Sequence, residues 1–170
     1  MAIPKHIDAR NKVRLARFCP SGRGRALQFL NECATAGLDV VICDPVERDD
    51  AMQLALFKIN RKQLPNGKWK VVGKVQTNAM TAAETPHGRR GPPHDAGCSA
   101  FDFAKFLPDG KWDWSDAEFF KKCGAIGERI GFTWGGRFGE SAPGKGDGWD
   151  GGHLELPGWD SRPLLPKDAA

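Results

Sequence analysis

Four histidines occur in 170 residues, and three of them, His87, His94 and His153, fall in loop or loop-to-strand contexts close to acidic residues. A zinc site that hydrolyses bonds takes about three protein ligands of the His, Asp or Glu type and leaves a fourth position for water, whose pKa the ion lowers to near 7. The chain carries those residue types in suitable contexts. In Asp150-Gly151-Gly152-His153 a carboxylate stands three residues before an imidazole, on a glycine-rich approach that lets both side chains turn toward one spot. A carboxylate so placed suits the base that takes a proton from water beside a metal. An isolated Asp-x-x-His also fits a plainer account, with His153 a hydrogen-bonded strand histidine and Asp150 a turn former. His6 belongs to no motif and is expected on the surface.

Those residues need elements to position them. Ala100 to Phe106 alternates apolar and polar as a half-buried strand does, which puts Asp102 on a strand just after a long loop. That loop, Thr81 to Ser99, is rich in Gly, Pro and charge; its part from Gly88 to Ser99 is expected to be exposed at a cleft rim, because Pro92-Pro93 and Arg89-Arg90 resist burial. His153 to Leu156 reads as a short strand entered from the segment 139–152, too glycine-rich for a helix. Helical spacing of Ala26, Phe29, Leu30, Cys33 and Ala34 predicts a helix over 24–36 stopped by Gly37. Others are predicted over 49–60 and over 116–130, the latter capped by Ser115 or Asp116 and ended by Gly131. Leu38 to Cys43 suits a strand closed by Asp44-Pro45, and the turn Pro65-Asn66-Gly67 precedes a strand over 68–75. Pro163 to Ala170 reads as a loose tail. The fold class is α+β, with helices beside a small antiparallel sheet.

The length suits one domain, spanning 1–170. With 40% hydrophobic and 27% charged residues the chain is neither disordered nor membrane-embedded by composition. Its longest apolar run, Leu38 to Cys43, falls far short of the roughly 20 residues of a membrane span, and the N-terminus lacks the apolar core of a signal peptide. Synthesis as a cytosolic protein without membrane insertion is expected. Five cysteines, an odd number without a CxxC pair, point to reduced, buried thiols. A formal charge of +4 favours anionic partners in general. Apart from Lys58, Arg61 and Lys62 the basic residues are scattered, and no nucleic-acid recognition motif is visible, so nucleic-acid binding is not expected. Trp112, Trp114 and Trp134 are expected mostly in the core, while for Trp149, beside Asp150 on a glycine-rich loop, a glycan or peptide platform is an equally good reading.

Several segments together carry a resemblance. Thr133-Trp134-Gly135-Gly136-Arg137-Phe138, then Trp149-Asp150-Gly151-Gly152-His153-Leu154-Glu155, with Ala100-Phe101-Asp102-Phe103, resemble the L-alanyl-D-glutamate peptidases and D-Ala-D-Ala carboxypeptidases, phage endolysins among them. Arg48 with Gln53 stands where the family has Arg-Ser-x-x-x-Gln, and Thr77-Asn78-Ala79 precedes the first histidine. The resemblance implies zinc (Zn2+) in a cleft on the sheet, held by one early histidine, Asp102 and His153, with Asp150 as catalytic base and Arg48 holding a substrate carboxylate. The family's early histidine lies seven residues before the aspartate, whereas His94 lies eight and His87 fifteen before Asp102. Thr85-Pro86-His87 keeps the family's Ser/Thr-x-His element, and His94 keeps a glycine three residues on. The reading takes His87, with His94 as the alternative.

What this implies is a monomeric zinc metallopeptidase that hydrolyses a stem-peptide amide of bacterial peptidoglycan, L-Ala-D-Glu first among the candidate bonds, and so lyses cells. A carboxypeptidase that trims terminal D-alanine, with Arg48 or Arg137 for the free carboxylate, and a non-catalytic zinc-bearing wall-binding module are the alternatives. With neither a signal peptide nor a separate wall-binding domain read from the sequence, the expected route is from the host cytoplasm to the wall through a separate pore, or delivery by a secretion machine.

Overall fold

The protein is described by a computed structural model over residues 5–43, 47–73, 79–138 and 150–165. The elements run α1 (Lys5–Leu15), α2 (Pro20–Thr35), β1 (Val40–Ile42), α3 (Asp50–Lys58), β2 (Arg61–Gln63), β3 (Trp69–Val71), β4 (Ala100–Phe106), β5 (Trp112–Asp113), α4 (Ala117–Ile130), β6 (Thr133–Trp134) and β7 (His153–Glu155). The Asp44-Pro45 turn, Thr77-Asn78, the continuation of β3 toward Val75, the glycine-rich stretch 139–149 with Trp149, and the tail beyond 165 lie outside the described residues.

Alternation along β4 decides the architecture. Phe101 and Phe103 point to one side, into a core shared with Phe29 and Leu30 of α2, Phe119, Phe120 and Ile126 of α4, Trp134 of β6 and Leu154 of β7. Fully burying side chains of this size stabilises by about 1.5 to 3 kcal/mol each. The residues between them turn to the opposite face, where Ala104 joins Val41 and Cys43 in a small second cluster and Asp102 stands half-buried. The sheet is antiparallel in the order β1-β4-β7-β6, with β5 also paired to β4, and β2-β3 forms a separate hairpin. The α+β class read from the sequence is what the chain adopts.

Two strand edges are managed by side chains. β1 lies at the end of the sheet, and buried Asn11 of α1 stands in for a missing neighbour: its amide donates to Val40 O (3.1 Å) and accepts from Ile42 N (2.8 Å). Arg14 adds a bond to Ile42 O. An exposed row of unpaired backbone groups would otherwise invite another strand. The hairpin is held to α3 by the perpendicular rings of Phe57 and Trp69, with the Arg61 guanidinium over Phe57. No helix of the described residues is long and apolar enough to cross a membrane, and all five cysteines are free and buried.

The segment 81–99 departs from expectation. Gly88, Arg90, Gly91 and Gly97 to Ser99 are buried, although His94 is exposed. Arg90 tolerates burial because its guanidinium donates to the carbonyls of Ala83 and Arg162 and lies over the Trp159 ring. Nor is the chain after Pro163 loose as far as it is described: Gly91 N donates to Pro163 O and Leu165 N to Arg89 O, both at 2.9 Å. Arg162 then bonds Asp95, which itself caps Ser21 at the start of α2.

Gly124, buried on α4, faces Trp134 so closely that an added Cβ would overlap the indole ring. Helix propensity alone favours alanine by about 1 kcal/mol, whereas overpacking costs about 1 to 3 kcal/mol. Gly124→Ala is expected to lower the Tm in thermal unfolding; an unchanged or higher Tm would show that propensity wins.

Candidate metal centre

β4 and β7 pair so that Asp102 and His153 are direct Cα partners. Because both lie on the face turned away from α2 and α4, their side chains meet: His153 Nδ1 is 3.0 Å from Asp102 Oδ1. His87 arrives from the 81–99 segment, with Nε2 3.4 Å from the same Asp102 oxygen and its ring 5.3 Å from that of His153. One ligand atom from each of the three lies within 4.8 Å of the other two. Among the described residues this is the group of His, Asp, Glu or Cys side chains that could hold a metal ion.

Each member is fixed from outside. Arg48 pairs its guanidinium with Asp102 Oδ2 and donates its backbone N–H to His87 O (2.9 Å), so one residue braces two members. The His87 segment is tied further by Ser99 N to Pro86 O (2.7 Å), Ala82 N to Asp50 (2.7 Å) and the buried Gln53 amide to Ala79 O (3.0 Å). The turn before β7 is held by His153 N to Asp150 O (3.1 Å), Trp134 Nε1 to Gly151 O (2.8 Å) and Phe103 N to Gly152 O (2.7 Å). Gly152 is needed there, since a Cβ would run into Phe103 O and the Trp114 ring.

Of the residues singled out from sequence, the structure brings together His87, Asp102, His153 and Arg48, with Asp150 close enough to feel their charges. His94 stands outside, exposed on a 3-10 turn over Pro93–Asp95. Arg48 faces Asp102 rather than open space. Trp134 is buried, Trp112 half-buried and Trp114 largely exposed, stacked on Phe120. Glu155 was not singled out, yet its Oε2 lies 3.1 Å from His153 Nε2. The signal was available: positions 153 and 155 of a strand share a face.

Burial makes the electrostatics strong. It pushes the His87 imidazole below its ordinary value, against the pull of Asp102, so His87 is neutral at pH 7. Burial alone would raise the Asp102 carboxyl, but the two histidines outweigh it and hold the group well below the usual carboxylate range. At His153 burial acts downward and loses to the hydrogen bonds its ring donates to Asp102 and Glu155, so the imidazole is pushed up to about 10. Burial lifts the Asp150 carboxyl, and the Asp102 charge adds to this, against His153, His87 and Arg48.

No protein-family model matches the chain, and no curated protein matches it.

The protonation pattern has a measurable outcome. Below about pH 10 the metal-free His153 carries a proton that an ion must displace, while His87 and Asp102 at pH 7 have none to give. Binding of a divalent ion between pH 7 and 9 is expected to release about one proton, with affinity rising about tenfold per pH unit. Calorimetry in buffers of different ionisation enthalpy measures the count; zero protons at pH 7.5 would contradict a protonated His153.

Proposed function

We propose that the protein is a zinc-dependent peptidoglycan endopeptidase that hydrolyses a stem-peptide amide, L-Ala-D-Glu first among them, and thereby lyses bacterial cells. The observation that carries this reading is the convergence of His87, Asp102 and His153, with the Asp150 carboxyl one turn upstream. Two histidines and a carboxylate are a donor set suited to zinc, and bonds of 2.0 to 2.1 Å in a tetrahedron separate neighbouring ligand atoms by about 3.3 Å. The contacts at the shared Asp102 oxygen, 3.0 and 3.4 Å, lie on either side of that value.

A zinc ion there would supply Lewis acidity toward a carbonyl and a lowered pKa for water. The chain's own residues do the rest. Asp150 takes the proton from the attacking water and returns it to the leaving amine; its raised carboxyl suits both halves of that exchange. Arg48 keeps the Asp102 carboxylate turned toward the histidines. Nothing covalent forms between enzyme and peptide.

A carboxypeptidase needs a cation for the free terminal carboxylate. Both candidates are engaged with the protein's own carboxylates, Arg48 with Asp102 and Arg137 with Glu128 at 3.0 and 3.2 Å, which favours cleavage within the stem. The lifted Asp150 carboxyl favours an enzyme over a non-catalytic binding module. The protein acts as a monomer on the wall, reached from the host cytoplasm through a separate pore.

Chelation is expected to abolish lysis of permeabilised Gram-negative cells, with zinc restoring it; full activity in chelated, metal-free protein would sink the proposal. Asp150→Asn is expected to lower turnover by about 10² to 10⁴ with zinc still bound, and mass analysis of the released peptides identifies the bond. His87→Ala is expected to lose stoichiometric zinc and nearly all activity. His94→Ala removes an exposed side chain and keeps both within a few-fold; the converse pair of results would transfer the ligand role to His94.

A further inference from the structure

An imidazole that binds an ion through one nitrogen must dispose of a hydrogen on the other. On β7 the two-residue period of an extended chain puts Glu155 beside His153 on the face turned away from α2 and α4. The two nitrogens of His153 therefore meet different carboxylates: Nδ1 faces Asp102 Oδ1 at 3.0 Å and Nε2 faces Glu155 Oε2 at 3.1 Å. Nδ1 is the nitrogen turned to Asp102 Oδ1, the same oxygen that His87 Nε2 faces at 3.4 Å.

We infer that Glu155 is a positioning residue of the metal centre: it accepts the Nε2 hydrogen of His153, holds the ring in the Nε2-protonated tautomer, and so directs the Nδ1 lone pair at an ion shared with His87 and Asp102. The inference rests on the zinc reading above and adds a residue that touches neither ion nor peptide. Two further observations support it. The Glu155 side chain is only 13% exposed, and among the described residues His153 is the one cationic partner it has. A carboxylate so deeply placed is costly unless paired, and the partner at hand is the ring it orients. The backbone is also fixed on both sides, since Glu155 is the Cα partner of Ala100 in β4 and of Thr133 in β6. The backbone that carries the carboxylate therefore cannot shift toward a rotated ring without breaking two strand pairings.

The test compares Glu155→Ala and Glu155→Gln with the parent, using zinc alone in competition with a chromophoric chelator. Loss of an outer partner of this kind costs about 10- to 100-fold in metal affinity. Glu155→Ala is expected to fall in that range with an unchanged circular dichroism spectrum. Glu155→Gln keeps an acceptor oxygen and is expected to recover to within about fivefold of the parent, a rescue that loss of packing alone would not predict. In cadmium-113-loaded, nitrogen-15-labelled parent protein, the His153 coupling to cadmium is expected at Nδ1, with Nε2 protonated. Coupling at Nε2, or parent-like zinc affinity in Glu155→Ala, overturns the inference; should the alanine variant not fold, the parent's coupling pattern still decides. Neither readout uses peptidoglycan. If both come out as stated and no wall peptide is cut, the hydrolase reading alone fails; if the parent takes up no ion, the zinc reading and this inference fall together.

Discussion

The pairing of β4 with β7 is the constraint on which the candidate centre depends. Side chains alternate along a strand, so the register that sets Asp102 opposite His153 also sends Phe101 and Leu154 into the core. A slip of one residue would exchange the two faces, burying Asp102 among phenylalanines and exposing Phe101. The energy that secures the register thus comes from the apolar side, while the chemistry stands on the polar side. The site needs no stability of its own to be held in place.

Around that pair the structure works by bracing from outside. Asp102 is held by Arg48, His153 by Glu155, and the His87 backbone by the same Arg48 whose side chain holds Asp102. The mutual dependence lets three ionisable groups share so little space. Asp102 carries the negative charge, His153 the positive one, and His87 stays neutral because burial makes a second positive charge costly.

Much of this was legible in the residue pattern and some was not, for physical reasons. The strand from Ala100 to Phe106 and the helix from Ala117 to Ile130 announce themselves because one face of each meets the core, so apolar residues recur at the element's own period. α1 gives little such signal: apart from Leu15, which joins the core, its hold on β1 runs through the polar side chains of Asn11 and Arg14. β5 and β6 hold two residues each, too few to show any period. Asp102, Asp150 and His153 could be proposed from a motif, whereas for the early histidine the Thr85-Pro86-His87 element favoured His87 while the spacing to Asp102 fitted neither His87 nor His94. The choice turns on how the intervening chain folds back, and that path is set by Arg90 finding carbonyls of Ala83 and Arg162. A sequence shows Arg90 as a charge to be solvated; only the fold shows that its two terminal nitrogens already have carbonyl partners.

The ties between the 89–97 stretch and residues 159–165 have a bearing on how the molecule is made. Synthesis proceeds from the N-terminus, and a chain that has emerged only as far as Leu107 already contains His87 and Asp102. It lacks the strand that pairs with Asp102 and the Arg162, Pro163 and Leu165 contacts that hold the His87 segment down. Partial chains on the ribosome therefore carry candidate ligands without a site. The candidate centre thus comes together late, once β7 and the residues that tie down the 89–97 stretch are in place.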